Sequence, residues 1–150
     1  MDEQERDRIF QSALADFRSE RYLDASKKMR LLVADGSQSP EHLSLYGLTL
    51  AHNKRTCREG IELCQRAVRL GRGRARLQLN LARAYVATGS RLRGIQALRQ
   101  GLRSGGHNPL LARELQRLSP RRSPVIGGLH RDHLINRYLG RVRARLGRSP

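Results

Sequence analysis

The sequence predicts an all-α chain built from repeated helix pairs, and three observations carry that prediction. The aromatic set is small: four Tyr, two Phe and no Trp in 150 residues. The core must therefore be Leu, Ile, Val and Ala, which suits helices better than a sheet, whose strands favour β-branched and aromatic residues. Pro and Gly stand at the ends of apolar segments more than inside them. The sequence also resembles itself at an offset of 34–35 residues, the spacing of stacked helical units. A chain of this length fits one ordinary domain.

In the N-terminal unit, Ala13, Tyr22, Ala25, Met29 and Leu32 fall 34 or 35 residues before Gly47, Thr56, Gly60, Cys64 and Ala67. The second unit reads "LSLYGLTLA", a turn at "HNKRT", then "GIELCQRAVRL". The third reads "RLQLNLARAYVA", then "RGIQALRQGLRSGG". Its Leu77, Leu81, Ala82 and Tyr85 have helical spacing, and Gly89 stands where a helix should stop. Ile95, Leu98 and Leu102 then share a face that ends at Gly105-Gly106. Glycine inside a helix costs about 1 kcal/mol relative to Ala. Its recurrence at Gly60 and Gly94, with small Ala82 and Gly101, predicts helix backbones in close approach.

After the third unit, "NPLLARELQRL" offers Asn108 as a cap, Pro109 at the first helical position, and a stripe of Leu111, Leu115 and Leu118. This is the expected terminal helix that covers the last open face. The repeats and this helix make one expected domain, 1–118. Two prolines and two glycines in "SPRRSPVIGG" make 119–131 a linker. Residues 132–150 are expected to form a basic amphipathic helix, capped by Asp132, with Leu134, Tyr138, Leu139, Val142 and Leu146 on one face. Val125, Ile126 and Leu129 are unusual for a free linker. The expectation is that this segment packs back on the repeats with Tyr138 and Leu139 buried.

The repeat pattern resembles the tetratricopeptide repeat family, W-x2-L-G-x2-Y followed by A-x3-F and a late Pro. The third unit offers Gln78-x2-Leu81-Ala82-x2-Tyr85, then Gly94-x3-Leu98 and Pro109. The second offers Leu43-x2-Tyr46-Gly47-x2-Leu50, then Gly60-x3-Cys64. The first offers Ile9-x2-Ser12-Ala13-x2-Asp16, Ala25-x3-Met29 and Pro40. The resemblance covers roughly residues 6–109. Trp is absent, and "LGRGRA" replaces the usual Asp-Pro turn between units. The three-unit layout with its "LLVADG" helix end also resembles small bacterial tetratricopeptide chaperones of the type III secretion kind. What the resemblance implies is a right-handed α-solenoid of about three helix pairs, plus the terminal and C-terminal helices. It also implies a concave groove lined by the first helix of each pair. The groove positions would be Phe10, Leu14 and Phe17, then Ser44, Leu48 and Ala51, then Arg76, Leu79, Arg83 and Val86. The competing expectation is that flanking helices bury much of this row.

Charge is unevenly divided. Residues 1–62 hold 10 Lys/Arg and 11 Asp/Glu, whereas residues 63–150 hold 20 Arg and only Glu114 and Asp132 as acids. Such asymmetry points to an anionic partner, with simple solubility as the plain alternative. Cys57 and Cys64 are seven apart, about two helical turns, too far for a disulfide.

Catalytic chemistry is not expected. "HRDHLINRY", from His130, resembles a kinase catalytic loop, but Asn136 follows Asp132 after three residues instead of four, and no D-F-G follows. His130 and His133 make half a metal site at most. Neither cysteine has a recognisable base and oxyanion hole, and "GRGRAR" lacks the G-K-[ST] ending of a phosphate loop. No cofactor is expected. The N-terminus "MDEQERDRIF" is charged and no run approaches about 20 apolar residues, so a soluble cytoplasmic protein is the default expectation.

The functional expectation is a non-catalytic protein-binding scaffold, adaptor or chaperone-like module. It would hold an extended, partly acidic peptide in a groove that is apolar at one end and cationic at the other. The alternative is a nucleic-acid or ribosome-associated protein using the basic half, with Arg91, Arg93, Arg99, Arg103 and Arg113 converging on one face.

Overall fold

Local signals set the helix boundaries. The computed structural model describes residues 1–119, and in that range it holds seven helices and no strand. Asp2 caps α1 (Glu3–Arg18) by accepting the Glu5 N–H at 2.6 Å. Glu3 and Glu5 place negative charge at the positive end of the helix dipole. The others are α2 (Tyr22–Ala34), α3 (Pro40–Ala51), α4 (Cys57–Leu70), α5 (Ala75–Ala87), α6 (Arg91–Gly105) and α7 (Pro109–Leu118). Pro40 and Pro109 open their helices where a missing N–H costs nothing. As expected, Asn108 caps α7: its Oδ1 accepts from the N–H of Leu110 (3.0 Å) and Leu111 (3.4 Å). The expectations for Val125, Ile126, Leu129, His130, Asp132, His133, Tyr138, Leu139 and the 132–150 helix fall on residues outside those described.

Three helices end alike, in a left-handed residue that turns two more N–H groups back onto the last carbonyls. After α2 this residue is Gly36 (φ 85°) and after α5 it is Gly89 (φ 80°). After α1 it is Glu20 (φ 60°), the one non-glycine residue with positive φ among those described. Its neighbours make the same bonds as in the glycine copies: Arg21 N–H to Asp16 O at 2.9 Å and Glu20 N–H to Phe17 O at 3.1 Å.

The helices pack in sequence, α1 on α2, α3 on α4 and α5 on α6, with α7 against both α5 and α6. The first helices of the pairs also touch in series, α1 to α3, α3 to α5 and α5 to α7. The second helices α2, α4 and α6 do not touch one another. α3 is central, and every residue from Leu43 to Ala51 is buried. Leu45, Tyr46 and Leu50 join a core with Ala13, Met29 and Leu32, while Leu48 and Ala51 join a second core with Cys64, Leu79, Ala82 and Leu98.

The close crossings fall at the repeated small residues. A Cβ on Gly60 would lie 2.5 Å from the Gly47 carbonyl oxygen, and a Cβ on Gly94 would lie 3.0 Å from that of Ala82. The corresponding Ala13 and Ala25 of the first pair are both fully buried. Gly101 serves a different contact from the expected one: a Cβ there would meet the Gln78 side chain and the Leu111 methyl, where α7 seats. Both cysteines are free thiols; Cys64 is buried, and loss of water pushes its thiol up to about 12.

Candidate functional site

The cleft is built where α1, α3, α5 and α7 approach one another, and it has a volume of about 720 Å³. Its floor is apolar. Leu48 of α3 and Leu79 of α5 are almost wholly buried, and Phe17 and Val86 are half-buried beside them. One end is aromatic: the His52 ring stacks on Tyr22 with centroids 3.8 Å apart, and Phe17 meets it edge-on at 5.9 Å. Water lost against these rings lowers the His52 pKa below its usual 6.5, partly opposed by Glu20.

The other wall is cationic. Arg83 comes from α5, and Arg113 and Arg117 come from α7. Between them lies Glu114, only 7% exposed. Its carboxylate accepts from Arg117 at 2.6 and 3.2 Å and sits 3.9 Å from Arg83 Nε. The two-point hydrogen bond raises the Arg117 pKa and fixes that guanidinium. Arg113 has no ion-pair partner among the described residues. Three guanidinia around Glu114 leave this wall net positive, while Glu20 adds a second carboxylate at the aromatic end.

Of the ten groove positions, Phe17, Leu48, Leu79, Arg83 and Val86 line this cleft. The other five lie elsewhere. Phe10 and Leu14 pack on the N-terminal core, with Phe10 against His42 at a centroid distance of 4.7 Å. Ser44 is fully buried, and its hydroxyl accepts from Asn80 Nδ2 at 2.9 Å. Ala51 is buried in the central core, and Arg76 is exposed away from the cleft. Burial of the middle positions follows from α3 being enclosed by the helices on both sides. No family model and no curated protein matches this chain.

Sequence reading missed the contributions of Glu20, Tyr22, His52, Ala87, Leu110, Arg113, Glu114 and Arg117 to this cleft. One signal was available. Glu114 is the only acid between Glu62 and Asp132, and a single carboxylate among arginines is a candidate for a paired, positioning role. Convergence of Arg91, Arg93, Arg99, Arg103 and Arg113 on one face is the mark of the nucleic-acid alternative, and three of them are directed to different places. Arg91 donates from Nε and Nη2 to the Leu118 carbonyl (3.0 and 2.8 Å), Arg113 lines the cleft, and Arg93 lines a separate groove between α4 and α6. No helix among the described residues is long and apolar enough to cross a membrane.

Proposed function

We propose that this chain is a non-catalytic protein-binding module, a scaffold, adaptor or chaperone-like protein, whose cleft holds an extended acidic-hydrophobic peptide. The observation that carries the reading is one cleft with an apolar floor and a cationic wall. Phe17, Leu48, Leu79 and Val86 offer seats for apolar anchors, and Arg83 and Arg113 offer donors for a side-chain or C-terminal carboxylate. Such a division of labour lets burial supply affinity while charge sets register. In this reading the helix pairs form a right-handed solenoid of the tetratricopeptide kind. Support comes from the contact pattern, in which first helices touch in series and second helices do not. A curved stack with the first helices on its inner side would account for that pattern.

The test is a library of short labelled peptides combining Leu or Phe with Asp or Glu, each with a free or an amidated C-terminus, measured by fluorescence anisotropy. Peptides carrying both features should bind, and Arg83→Glu with Arg113→Glu should abolish binding without lowering Tm. Selected peptides whose affinity ignores that double charge reversal would remove the cleft from consideration.

A further inference from the structure

A second concavity lies on the side of the molecule formed by the second helices. α4 and α6 each pack on α5 but do not touch each other, and a groove of about 440 Å³ runs between them. Gln65 and Arg69 of α4 face it, as do Arg93, Gln96 and Gln100 of α6, and Tyr85 of α5 forms part of its floor. On each helix these residues are three, four or seven apart, so each presents one continuous stripe. The groove shares no lining residue with the peptide cleft.

The polar groups here are guanidinium, amide and phenol, all able to donate. The Tyr85 hydroxyl accepts from Gln65 Nε2 at 2.9 Å, which leaves its own proton for another acceptor. No carboxylate lines the groove, and neither Arg69 nor Arg93 has an ion-pair partner among the described residues. The acid nearest in sequence, Glu62, is paired with Arg58 at 3.3 Å. From Leu63 to Arg113 the chain has eleven Arg and no Asp or Glu. An anion that enters the groove therefore meets no like charge.

The chemistry of the walls selects among anions. Peptide recognition relies on large apolar pockets for anchors, whereas the aliphatic side chains of this groove are Val68, Ala97 and, in the floor, a Leu81 that is only 7% exposed. Arg, Gln and Tyr are side chains that hold phosphate and sugar oxygens. Proteins that bind a single strand without reading its sequence pair a cationic groove with aromatic stacking surfaces, and Tyr85 is the aromatic side chain this groove offers. We propose that the α4–α6 groove binds the phosphodiester backbone of a single-stranded nucleic acid. Arg69 and Arg93 contact phosphates, and Gln96 and Gln100 contact sugar and phosphate oxygens. The proposal is independent of the peptide reading.

The experiment uses the full chain and two labelled probes, a short oligouridine and the matching oligothymidine, followed by anisotropy between about 50 and 200 mM salt. Basic residues elsewhere in the chain contribute equally to every variant, so the comparison between variants isolates the groove. Arg69→Ala with Arg93→Ala should reduce the slope of log affinity against log salt by about 1.4, at about 0.7 per phosphate contact on a single strand. Arg99→Ala with Arg103→Ala removes the same charge from exposed positions on α6 outside the groove, and should change the slope far less. Circular dichroism and Tm confirm that both variants are folded. Binding of either probe with this difference between the double variants supports the site. Absence of oligonucleotide binding, or equal effects of the two double variants, overturns it. A short polyglutamate that displaces the probe at equal charge and loses affinity in the groove variant alone would reassign the groove to an acidic protein.

Discussion

Glu20 occupies a backbone conformation that costs an L-residue about 1–2 kcal/mol. The equivalent positions after α2 and α5 are Gly36 and Gly89. Glu20→Gly should therefore stabilise the protein by about 0.5–1 kcal/mol, the relief of strain being partly offset by the greater freedom of glycine in the unfolded chain. Urea unfolding checks this, and a loss of stability would show that the Glu20 side chain contributes more than its strain costs. The histidines give a second expectation at this scale. His42 and His52 both have pKa values lowered from 6.5, first by loss of water around the ring. The folded state then binds fewer protons than the unfolded state over the window just below 6.5. Their contribution is fully present above 6.5 and is lost as pH falls through the folded values. Tm should hold steady above that pH and decline below it, and His52→Gln should flatten part of the decline. A further loss belongs below 3.8. Asp16 is depressed chiefly by the hydrogen bond from Lys28, then by the charges of Arg21 and Lys28 against the opposing effect of burial, so its stabilisation disappears as it protonates.

Two helix pairs cross at a small-residue contact, but not with equal tolerance. A Cβ at Gly47 would lie 2.5 Å from the Gly60 carbonyl oxygen and 2.9 Å from the Cys64 nitrogen, so backbone must move. A Cβ at Gly94 would lie 3.0 Å from both the Ala82 carbonyl oxygen and a Val86 methyl, and the side-chain contact can yield. Gly47→Ala should thus cost about 3 kcal/mol and Gly94→Ala about 1 kcal/mol or less, while Gly94→Leu should cost about 1–3 kcal/mol by overpacking. Chemical denaturation of the three variants orders them. If Gly94→Ala proved the worst, the α3–α4 contact would not be the tighter of the two.

For the molecule as a whole, a net charge of +17 on 150 residues with the excess after Glu62 means that folding gathers like charges. Nine ion pairs are present among the described residues; Asp24–Lys27, Arg58–Glu62 and Glu41–Arg74 are exposed on both sides and worth little each, while the pairs of Asp16 and Glu114 set more exposed cations on buried carboxylates. Screening should therefore help more than it harms. Tm should rise as salt increases from about 10 mM to about 150 mM, where the Debye length falls to about 8 Å. A fall in Tm over that range would mean that the screened ion pairs outweigh the repulsion.

The sequence alone determined the helical character, the Asn108 cap and the terminal α7. Those features rest on signals a few residues long: Asn108-Pro109, Gly89 after Ala87, and the 3.6-residue apolar period. The 34-residue recurrence of Gly60 and Gly94 was likewise enough to locate two close crossings, because only a small residue fits where backbones meet. Tertiary packing decided the rest. It chose which of the ten groove positions stay open, since α3 is enclosed on both sides and takes Ser44 and Ala51 with it. It also drew together Tyr22, His52, Glu114 and Arg117, which span almost a hundred residues of chain. No short stretch encodes such a convergence. It depends on the angles at which helices cross, and interdigitating side chains from several helices set those angles together.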